Sequence, residues 1–297
     1  MFILHAIPLC FAANVVMGRA LRDAVDPGTL AFYRWGIASL ILLSFSGRAL
    51  WQYRAKLLRV LDLLLWLGFL GMLICGALFY AGLQQTKAVN GALIYMASPV
   101  IIILLEVAFR SVRLNVTRIA GIIVAIGGVM TILLLNSGDG LSGFEWQRGD
   151  VFCIIASISW ALYSFTLKTE RLSGFPTLVL FCAIALAGVA TLLPFYLWEG
   201  GFAKSMEFPA DTWFGIGIVA VIPSVFAYGF YQKGVALVGA STTSMYLYLM
   251  PVYAVLLAYL FLNESISYIH VIGFALVVCG LYFATQIPKS SASLERG

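Results

Sequence analysis

Long apolar runs, each about twenty residues, divide this chain almost from end to end. A helix needs about 20 apolar residues to cross the hydrocarbon core of a bilayer. Every backbone amide and carbonyl inside lipid must be bonded within the protein, so runs of this length can only be helices. The sequence predicts ten such spans, at roughly 3–19, 28–46, 63–84, 88–110, 116–135, 149–169, 176–198, 212–233, 240–262 and 268–286. The predicted fold is therefore all-α and integral to a membrane.

The composition supports this fold and argues against a soluble one. Of the 297 residues, 62% are hydrophobic and 10% are charged, whereas soluble domains have about 25% charged residues. The loops are short, so they leave no room for a separate soluble domain. The net charge of +5 comes mainly from lysines and arginines in those loops, a distribution typical of membrane orientation. Membrane lipid is therefore a predicted partner, and nucleic acid is not.

The lysines and arginines also predict which side of the membrane each loop faces. Twelve of the 18 lie in the even-numbered loops and the C-terminal tail, and five lie in or beside the odd-numbered loops. Loops rich in lysine and arginine stay in the cytoplasm. Both termini are therefore predicted to be cytoplasmic, in a multi-pass membrane protein.

The sequence carries no motif for covalent chemistry, metal binding or nucleotide hydrolysis. The cysteines lie inside apolar runs without paired spacing, which is typical of small buried hydrophobic residues. They are Cys10, Cys75, Cys153, Cys182 and Cys279. The two histidines, His5 and His270, lie near opposite membrane faces, and the GxxxxGK[ST] loop that binds ATP is absent. Because an intramembrane enzyme needs its chemical groups at one depth, the sequence predicts no enzyme, no cofactor and no metal site.

The two halves of the chain match when one is shifted by 152 residues along the other. In this ungapped register Pro99 aligns with Pro251. The other aligned pairs are Phe79 with Tyr231, Gly82 with Gly234, Gly121 with Gly273 and Gly128 with Gly280. Several matches in a single register indicate an internal repeat. The repeats are predicted to cover 1–142 and 143–297.

Each repeat holds five predicted spans, so the second copy must cross the membrane in the opposite orientation. Inverted repeats are typical of transporters, whose halves move against each other around a site near the midplane where helices are interrupted. The two repeats would together form one transport domain. We expect Pro99 and Pro251 to bend their spans and to act as hinge or cavity-shaping residues. A kink tolerated in a packed transmembrane helix is the alternative.

Three stretches of the chain resemble a known family. They are AFYRWGIASLIL in the second span, GDVFCIIASISWALYSFTLK in the sixth, and YLMPVYAVLLAYLFLNESISYIHVIGFALVVCGLYF at the end. The chain resembles EamA-type members of the drug/metabolite transporter superfamily and, among these, the aromatic amino acid exporter branch. The resemblance implies ten spans made from two five-span repeats. The first half departs from the closing pattern, because Val112 takes the position equivalent to Glu264.

Polar and aromatic side chains recur along single helical faces of the predicted spans. We expect them to line a central cavity that binds a ring or an aliphatic group by apolar contact, while polar groups hold the charged ends of the cargo. The candidate substrate-binding residues are Asn14, Tyr80, Tyr95, Ser98, Trp160, Tyr163, Ser224, Tyr228, Ser244 and Tyr248. The alternatives are interfacial belts for the aromatic residues and packing between helices for the serines.

Two charged residues fall inside predicted spans, where charge is costly and usually functional. Glu106 lies near the end of the fourth span, and Arg110, one turn later, is its expected partner. Arg34 lies in the second span, and we expect it to pair with backbone carbonyls or with Asp23 or Asp26. Binding of a substrate carboxylate by Arg34 is the alternative. No Asp, Glu or His lies near the middle of a span, which favours facilitated diffusion over proton coupling.

These features predict a membrane transporter that exports aromatic and other neutral amino acids, or similar small amphipathic metabolites, by alternating access. Its predicted partner is the small-molecule substrate. Efflux of cationic drugs is the alternative, because an aromatic face also holds a cation. Monomeric and dimeric states are both compatible with the sequence.

Overall fold

Helices make up nearly all of the described chain. The computed structural model describes residues 2–21, 23–86, 91, 94–110, 115–132, 146–262 and 268–285. The first half contains α1 (Phe2–Leu21), α2 (Pro27–Leu58), α3 (Leu61–Gly68), α4 (Phe79–Gln84), α5 (Ser98–Arg110) and α6 (Val116–Met130). The second half contains α7 (Arg148–Thr166), α8 (Thr177–Trp198), α9 (Gly201–Ser205), α10 (Ala210–Val219), α11 (Tyr228–Val238), α12 (Ala240–Met245), α13 (Met250–Leu262) and α14 (Tyr268–Thr285). These described residues include no strand, which confirms the all-α prediction for them.

Seven helical stretches of the described residues are long and apolar enough to cross a membrane. They are Pro27–Leu58, Leu61–Gln84, Arg148–Thr166, Thr177–Trp198, Ala210–Val238, Ala240–Leu257 and Tyr268–Thr285. Shorter apolar helices cover Phe2–Asn14 and Val116–Met130. The architecture is that of an integral membrane protein, whereas the full set of ten spans and the inversion of the repeats remain predictions. Val112 and Glu264 lie outside the described residues.

Helix α2 is longer than the sequence predicts. Its expected span ends near residue 46, but the helix continues to Leu58 and is 32 residues long. At about 1.5 Å per residue it measures about 48 Å, more than the roughly 30 Å of a hydrocarbon core. The added turns are rich in alanine, leucine, lysine and arginine, all good helix formers. The apolar span therefore ends before the helix does.

Large apolar side chains cover much of the outer surface. Phe45, Phe109 and Phe214 are each more than 70% exposed. A soluble monomer rarely exposes apolar area on this scale, whereas lipid chains would cover it. Cys279 is also exposed on this surface, so it is not the buried residue that the sequence pattern predicts. The surface fits a protein surrounded by lipid.

Two helical stretches change their winding at equivalent places in the two halves. A π-helix over Phe69–Leu78 joins α3 to α4, and another over Ala220–Ala227 joins α10 to α11. The shift of 152 residues that aligns the repeats places most of the first segment on the second. Turns of π-helix are rare and often lie at functional sites. The first segment places Cys75 in the lining of the central cavity, and the second places Ser224 behind the lining residue Arg34.

Pro99 and Pro251 lie just after interruptions of the α-helical winding, and Pro251 does so inside the helical stretch Ala240–Leu257. Each is the second residue of a helical segment, in α5 and α13 respectively. A turn at Met96–Ala97 precedes α5, and a 3₁₀ segment over Tyr246–Leu249 precedes α13. Proline is tolerated in a first turn, where its missing N–H has no helical partner. In place of the expected bend, the α-helical winding is broken before each proline, and a hinge role for the two residues remains a prediction.

Helices α6 and α14 form the most extensive helix–helix contact of the described residues. Glycines line both sides of this contact. A Cβ atom at Gly128 would lie 2.7 Å from the backbone nitrogen of Val277 and 2.8 Å from the carbonyl oxygen of Gly273. The glycines thus let the two backbones approach closely. The contact joins the two halves at a distance from the cavity and serves as scaffold.

Replacing Gly128 by alanine is expected to destabilise the protein by about 1–3 kcal/mol, the usual cost of overpacking a well-packed contact. The adjacent Gly127 has nothing within 4 Å of its would-be Cβ, so Gly127→Ala is a matched control. We expect that variant to be neutral or slightly stabilising, because alanine is a better helix former than glycine. Thermal unfolding of both purified variants in one detergent would check this. Equal melting temperatures would contradict the scaffold role.

The first turn of α2 is held by a carboxylate from the second half. Glu199, just after α8, accepts hydrogen bonds from the backbone N–H of Gly28 at 3.0 Å and of Thr29 at 2.7 Å. A carboxylate at this position satisfies unpaired amides and favours the helix dipole. Beside it, Lys204 Nζ lies 2.6 Å from Asp26 Oδ2, and this hydrogen bond raises the pKa of the Lys204 ammonium. The start of α2 is thereby fixed against the second half.

Candidate functional site

A cavity of about 210 Å³ lies between helices of the two halves. Its aromatic lining consists of Phe11, Phe79, Tyr80, Tyr95, Trp160 and Tyr228. Its polar lining consists of Asn14, Arg34, Cys75, Gln84 and Thr86. The remaining lining is apolar apart from a glycine, and includes Val25, Pro27, Leu30, Leu83, Met96, Leu247 and Met250. This mixture of rings and a few polar groups is typical of a small-molecule site.

Trp160 is the centre of the aromatic wall. Its ring meets those of Phe11 and Tyr228 edge-on, with centroids 5.6 Å and 5.2 Å apart. The ring of Tyr95 lies 6.3 Å away at a tilt, and that of Tyr163 stacks at 5.4 Å. Stacked and edge-to-face arrangements are the favoured geometries of aromatic pairs. The neighbouring rings therefore hold the Trp160 indole in place and present a firm apolar wall.

Arg34 is a buried charged residue of the cavity, only 2% exposed. Its Nε donates a hydrogen bond to Ser224 Oγ at 2.9 Å, and its Nη1 donates to the Tyr80 hydroxyl at 2.5 Å. That hydroxyl donates in turn to Asn14 Oδ1 at 2.6 Å. The guanidinium of α2 thus joins α4 and the second π segment, and α1 is connected to it through Asn14 and Tyr80. These neutral partners orient the guanidinium and leave its charge unbalanced.

No carboxylate of the described residues contacts Arg34. The expectation that Asp23 or Asp26 pairs with it is wrong for these residues, because the partners of Arg34 are Ser224 and Tyr80. Asp26 binds Lys204 instead. The two hydrogen bonds use Nε and Nη1, which leaves Nη2 without a partner among the described residues. A buried charge without a counter-ion is costly, and this arrangement can bind an anionic group that enters the cavity.

Beyond Trp160 the helices close into a buried layer. Tyr163 and Tyr231 are fully buried there. Gln232 Nε2 donates to the Tyr163 hydroxyl at 2.9 Å, and the Tyr231 hydroxyl lies 2.7 Å from Ser164 Oγ. These hydrogen bonds join α7 to α11 and close this end of the cavity.

The opposite end of the cavity extends toward the first and third loops. Val25 and Pro27 line it from the connection between α1 and α2, and Gln84 and Thr86 line it from the end of α4 and the residues that follow. The cavity therefore reaches one end of the bundle and is closed toward the other.

The predicted substrate-binding residues take different positions. Five of the ten line the cavity, namely Asn14, Tyr80, Tyr95, Trp160 and Tyr228. Ser224 holds Arg34 from behind, and Tyr163 stacks on Trp160 outside the lining. Ser98, Ser244 and Tyr248 are buried between helices and do not line the cavity. The structure thus brings five of the ten residues to the cavity surface, and two more contact the lining residues Arg34 and Trp160 from outside the cavity.

The sequence pattern does not predict several of the lining residues. Phe11, Cys75, Met96 and Met250 line the cavity but belong to no polar or aromatic stripe singled out in the sequence. Met96 and Met250 lie at the two helix breaks that precede the paired prolines. Those prolines are the signal that could have found them, because a break turns adjoining side chains toward the interior. The geometry around Arg34 is compatible with the alternative that the sequence leaves open, which is binding of a substrate carboxylate.

Glu106 pairs with Arg110, as the sequence predicts, and lies outside the cavity lining. Glu106 Oε1 is 4.0 Å from Arg110 Nη1. Arg110 Nη2 also donates to the Phe165 carbonyl at 2.7 Å, and the guanidinium lies 4.2 Å from the centroid of the Phe165 ring. These contacts join the ends of α5 and α7 on the closed side of the bundle.

Comparison with known proteins identifies the family. The model of the EamA-like transporter family matches residues 1–134 and 147–286, most of the chain. The chain belongs to the EamA-like transporter family. It is therefore a multi-pass membrane transporter, in agreement with the resemblance carried by its sequence. Membership of the aromatic amino acid exporter branch remains a prediction.

Individual relatives of this EamA-family transporter are similar along nearly their whole length. The uncharacterized transporter YyaM of Bacillus subtilis is 27% identical, over 89% of this chain and 87% of its own. A probable terminal-alkyne amino-acid exporter of Streptantibioticus cattleyicolor is 25% identical, over 87% and 84%. An S-adenosylmethionine/S-adenosylhomocysteine transporter of Chlamydia muridarum is 22% identical, over 95% and 91%. A solved crystal structure at 19% identity shares the fold, with a TM-score of 0.71 over 96% of this chain and 95% of its own.

Proposed function

We propose that this EamA-family transporter exports aromatic and other neutral amino acids by alternating access. The observation that carries the proposal is the Arg34 guanidinium in a cavity walled by aromatic rings. An amino acid would present its carboxylate to the guanidinium and its side chain to the rings around Trp160. Hydrogen bonds between ionised groups are roughly twice as strong as neutral ones. Arg34 would therefore fix the position of the cargo, and the rings would select apolar side chains.

The size and charge of the cavity favour such a cargo over a cationic drug. Its volume of about 210 Å³ is below the roughly 300–1,000 Å³ of sites that hold drug-sized ligands. A cation in the cavity would also lie close to the buried charge of Arg34, and like charges brought together oppose binding. These two observations favour small anionic or zwitterionic metabolites.

The names of two relatives support the same class of cargo. One is named as a probable exporter of a terminal-alkyne amino acid, and another as a transporter of S-adenosylmethionine and S-adenosylhomocysteine. All of these compounds carry an amino-acid carboxylate. The Arg34 guanidinium in the cavity of the present chain could bind that shared carboxylate.

Alternating access is supported by features that occur in both halves. The family model matches each half separately, and the π segments lie at equivalent positions in the two halves. The cavity extends toward the first and third loops, which the charge distribution predicts to be outside the cytoplasm. We interpret the structure as outward-open, with the layer around Tyr163 and Tyr231 closed toward the cytoplasm of a bacterial inner membrane. The breaks before Pro99 and Pro251 are the positions where we expect the helices to bend when the halves move.

Transport is expected to follow the substrate gradient. Among the described residues that line the cavity, none is Asp, Glu or His. A proton-coupled transporter usually carries such a group in its pathway. We therefore propose facilitated diffusion without proton coupling.

Counterflow in proteoliposomes tests the proposal. Vesicles loaded with unlabelled tryptophan and holding the purified protein should accumulate labelled tryptophan above the level of protein-free vesicles. An imposed pH gradient should not change the initial rate. Absence of counterflow for tryptophan, phenylalanine and threonine would contradict amino-acid transport, and acceleration by the pH gradient would contradict the uncoupled mechanism.

A further inference from the structure

The described lining of the cavity carries charge of a single sign. Among its described lining residues, Arg34 is the only one with a charged side chain. Asp150 on α7 lies next to the lining, since its Oδ1 accepts a hydrogen bond from the lining residue Thr86. Its Oδ2 accepts the backbone N–H of Gln147 at 2.8 Å, and the residue is completely buried. Asp150 is therefore engaged at a helix start and presents no carboxylate to the cavity.

The other acids near the two ends of the cavity are also engaged. At the open end, Asp26 binds Lys204 at 2.6 Å. On the closed side, Glu106 pairs with Arg110 at 4.0 Å. None of these three acids lines the cavity, and no acid is present among its described lining residues to hold the ammonium of an amino acid.

The neutral polar groups near Arg34 are already used to hold Arg34 itself. The Tyr80 hydroxyl accepts from Arg34 and donates to Asn14 Oδ1. Ser224 Oγ accepts from Arg34 and donates to the Val219 carbonyl at 2.9 Å. The cargo thus meets a charged, oriented donor for its carboxylate but no carboxylate of the described lining for its ammonium. A cation would meet only neutral groups there, such as the hydroxyls of Tyr95 and Thr86 and the faces of the rings around Trp160.

We propose that the cavity recognises the carboxylate of its cargo without requiring the ammonium, so that aromatic carboxylates lacking the amine are also substrates. The inference rests on the proposed function, because it takes the pairing of Arg34 with a substrate carboxylate as its starting point. A carboxylate gains a charge-assisted partner at Arg34 Nη2 when it leaves water. An ammonium loses water without gaining an equivalent partner, which is unfavourable in a buried site. Removing the amine therefore strengthens binding or leaves it unchanged.

Three indole compounds separate the two charged groups. Tryptophan carries both, indole-3-propionate lacks only the ammonium, and tryptamine lacks only the carboxylate. Each would be titrated calorimetrically into the purified wild-type protein in detergent, where passive leakage across a membrane does not interfere. We expect indole-3-propionate to bind at least as tightly as tryptophan, and tryptamine to bind at least tenfold more weakly than either.

The variant Arg34→Gln tests whether Arg34 is responsible for the selectivity for the carboxylate. Glutamine keeps polar atoms near Ser224 and Tyr80 but removes the charge. We expect the affinity for indole-3-propionate to fall at least tenfold in this variant while that for tryptamine does not fall. The matched control Arg48→Gln changes an exposed arginine on the same helix, and its affinities should equal those of the wild type.

The outcomes of these titrations are distinguishable. If tryptophan binds and indole-3-propionate binds more than tenfold more weakly, the inference is wrong and the proposed function stands. If tryptamine binds as tightly as indole-3-propionate, recognition of the carboxylate by Arg34 is wrong. If no compound binds and counterflow also fails, the proposed function is wrong as well.

Discussion

Replacement of Arg34 by alanine is expected to reduce tryptophan counterflow by about tenfold to a hundredfold. Arg34 is only 2% exposed, its guanidinium is held by Ser224 and Tyr80, and we propose that its remaining nitrogen binds the cargo. Hydrogen bonds to charged groups contribute about 1.5–3 kcal/mol, and about 1.4 kcal/mol corresponds to a factor of ten. Initial rates in proteoliposomes, normalised to the amount of inserted protein, would measure the loss.

Two further variants separate a binding role from a structural one. Arg34→Lys keeps the charge but lacks the planar fork of the guanidinium, so we expect intermediate activity. Arg48→Ala removes an exposed arginine on the same helix and should transport at the wild-type rate. A well-inserted Arg34→Ala protein with normal transport would contradict the role of this residue in binding.

Replacement of Trp160 by alanine is expected to lower both stability and transport. Its fully buried ring contacts Phe11, Tyr163 and Tyr228. Loss of a buried tryptophan typically costs about 3–5 kcal/mol of unfolding free energy, and here it also removes the centre of the aromatic wall. We expect a lower melting temperature in detergent and at least a tenfold drop in the rate of counterflow.

A phenylalanine at this position distinguishes the two effects. Trp160→Phe keeps an aromatic ring facing the cavity, so most of the transport and most of the stability should return. Trp198→Ala is the control, because Trp198 is 79% exposed at the end of α8 and its loss should change neither quantity. Normal counterflow by a folded Trp160→Ala protein would exclude Trp160 from the binding site.

Much of the fold follows from the sequence because lipid imposes a simple rule on the backbone. Runs of about 20 apolar residues become helices, and seven such stretches are present among the described residues. The end of α2 could not be predicted from hydropathy, since polar residues that form helices well continue it to Leu58. Helix propensity, and not polarity, decides where that helix ends.

The interruptions in the helices were only partly predictable. The repeated prolines mark the right positions, but hydropathy does not distinguish a bend inside a helix from a break before Pro99 or Pro251. The π segment over Ala220–Ala227 contains Pro223, a local signal for an irregular helix. The segment over Phe69–Leu78 contains no proline, so nothing comparable marks it in the sequence.

The sequence predicts the aromatic residues of the candidate site better than it predicts the partners of Arg34. Tyr80, Tyr95, Trp160 and Tyr228 line the cavity, because aromatic residues away from the membrane interfaces tend to face the interior. The sequence predicts backbone carbonyls or an acid from a nearby loop as partners of Arg34, since spacing along the chain cannot show that its partners are the hydroxyls of Ser224 and Tyr80. The absence of a described carboxylate around it is visible only in the folded protein.

A structure of the transporter with bound tryptophan tests the central claim most directly, namely that Arg34 and the aromatic wall form the substrate site. We predict that a carboxylate oxygen lies within about 2.7–3.2 Å of a guanidinium nitrogen of Arg34, a normal hydrogen-bond distance. The indole of the ligand should lie against Trp160. Tryptophan bound outside this cavity, or inside it with its carboxylate directed away from Arg34, would contradict the claim.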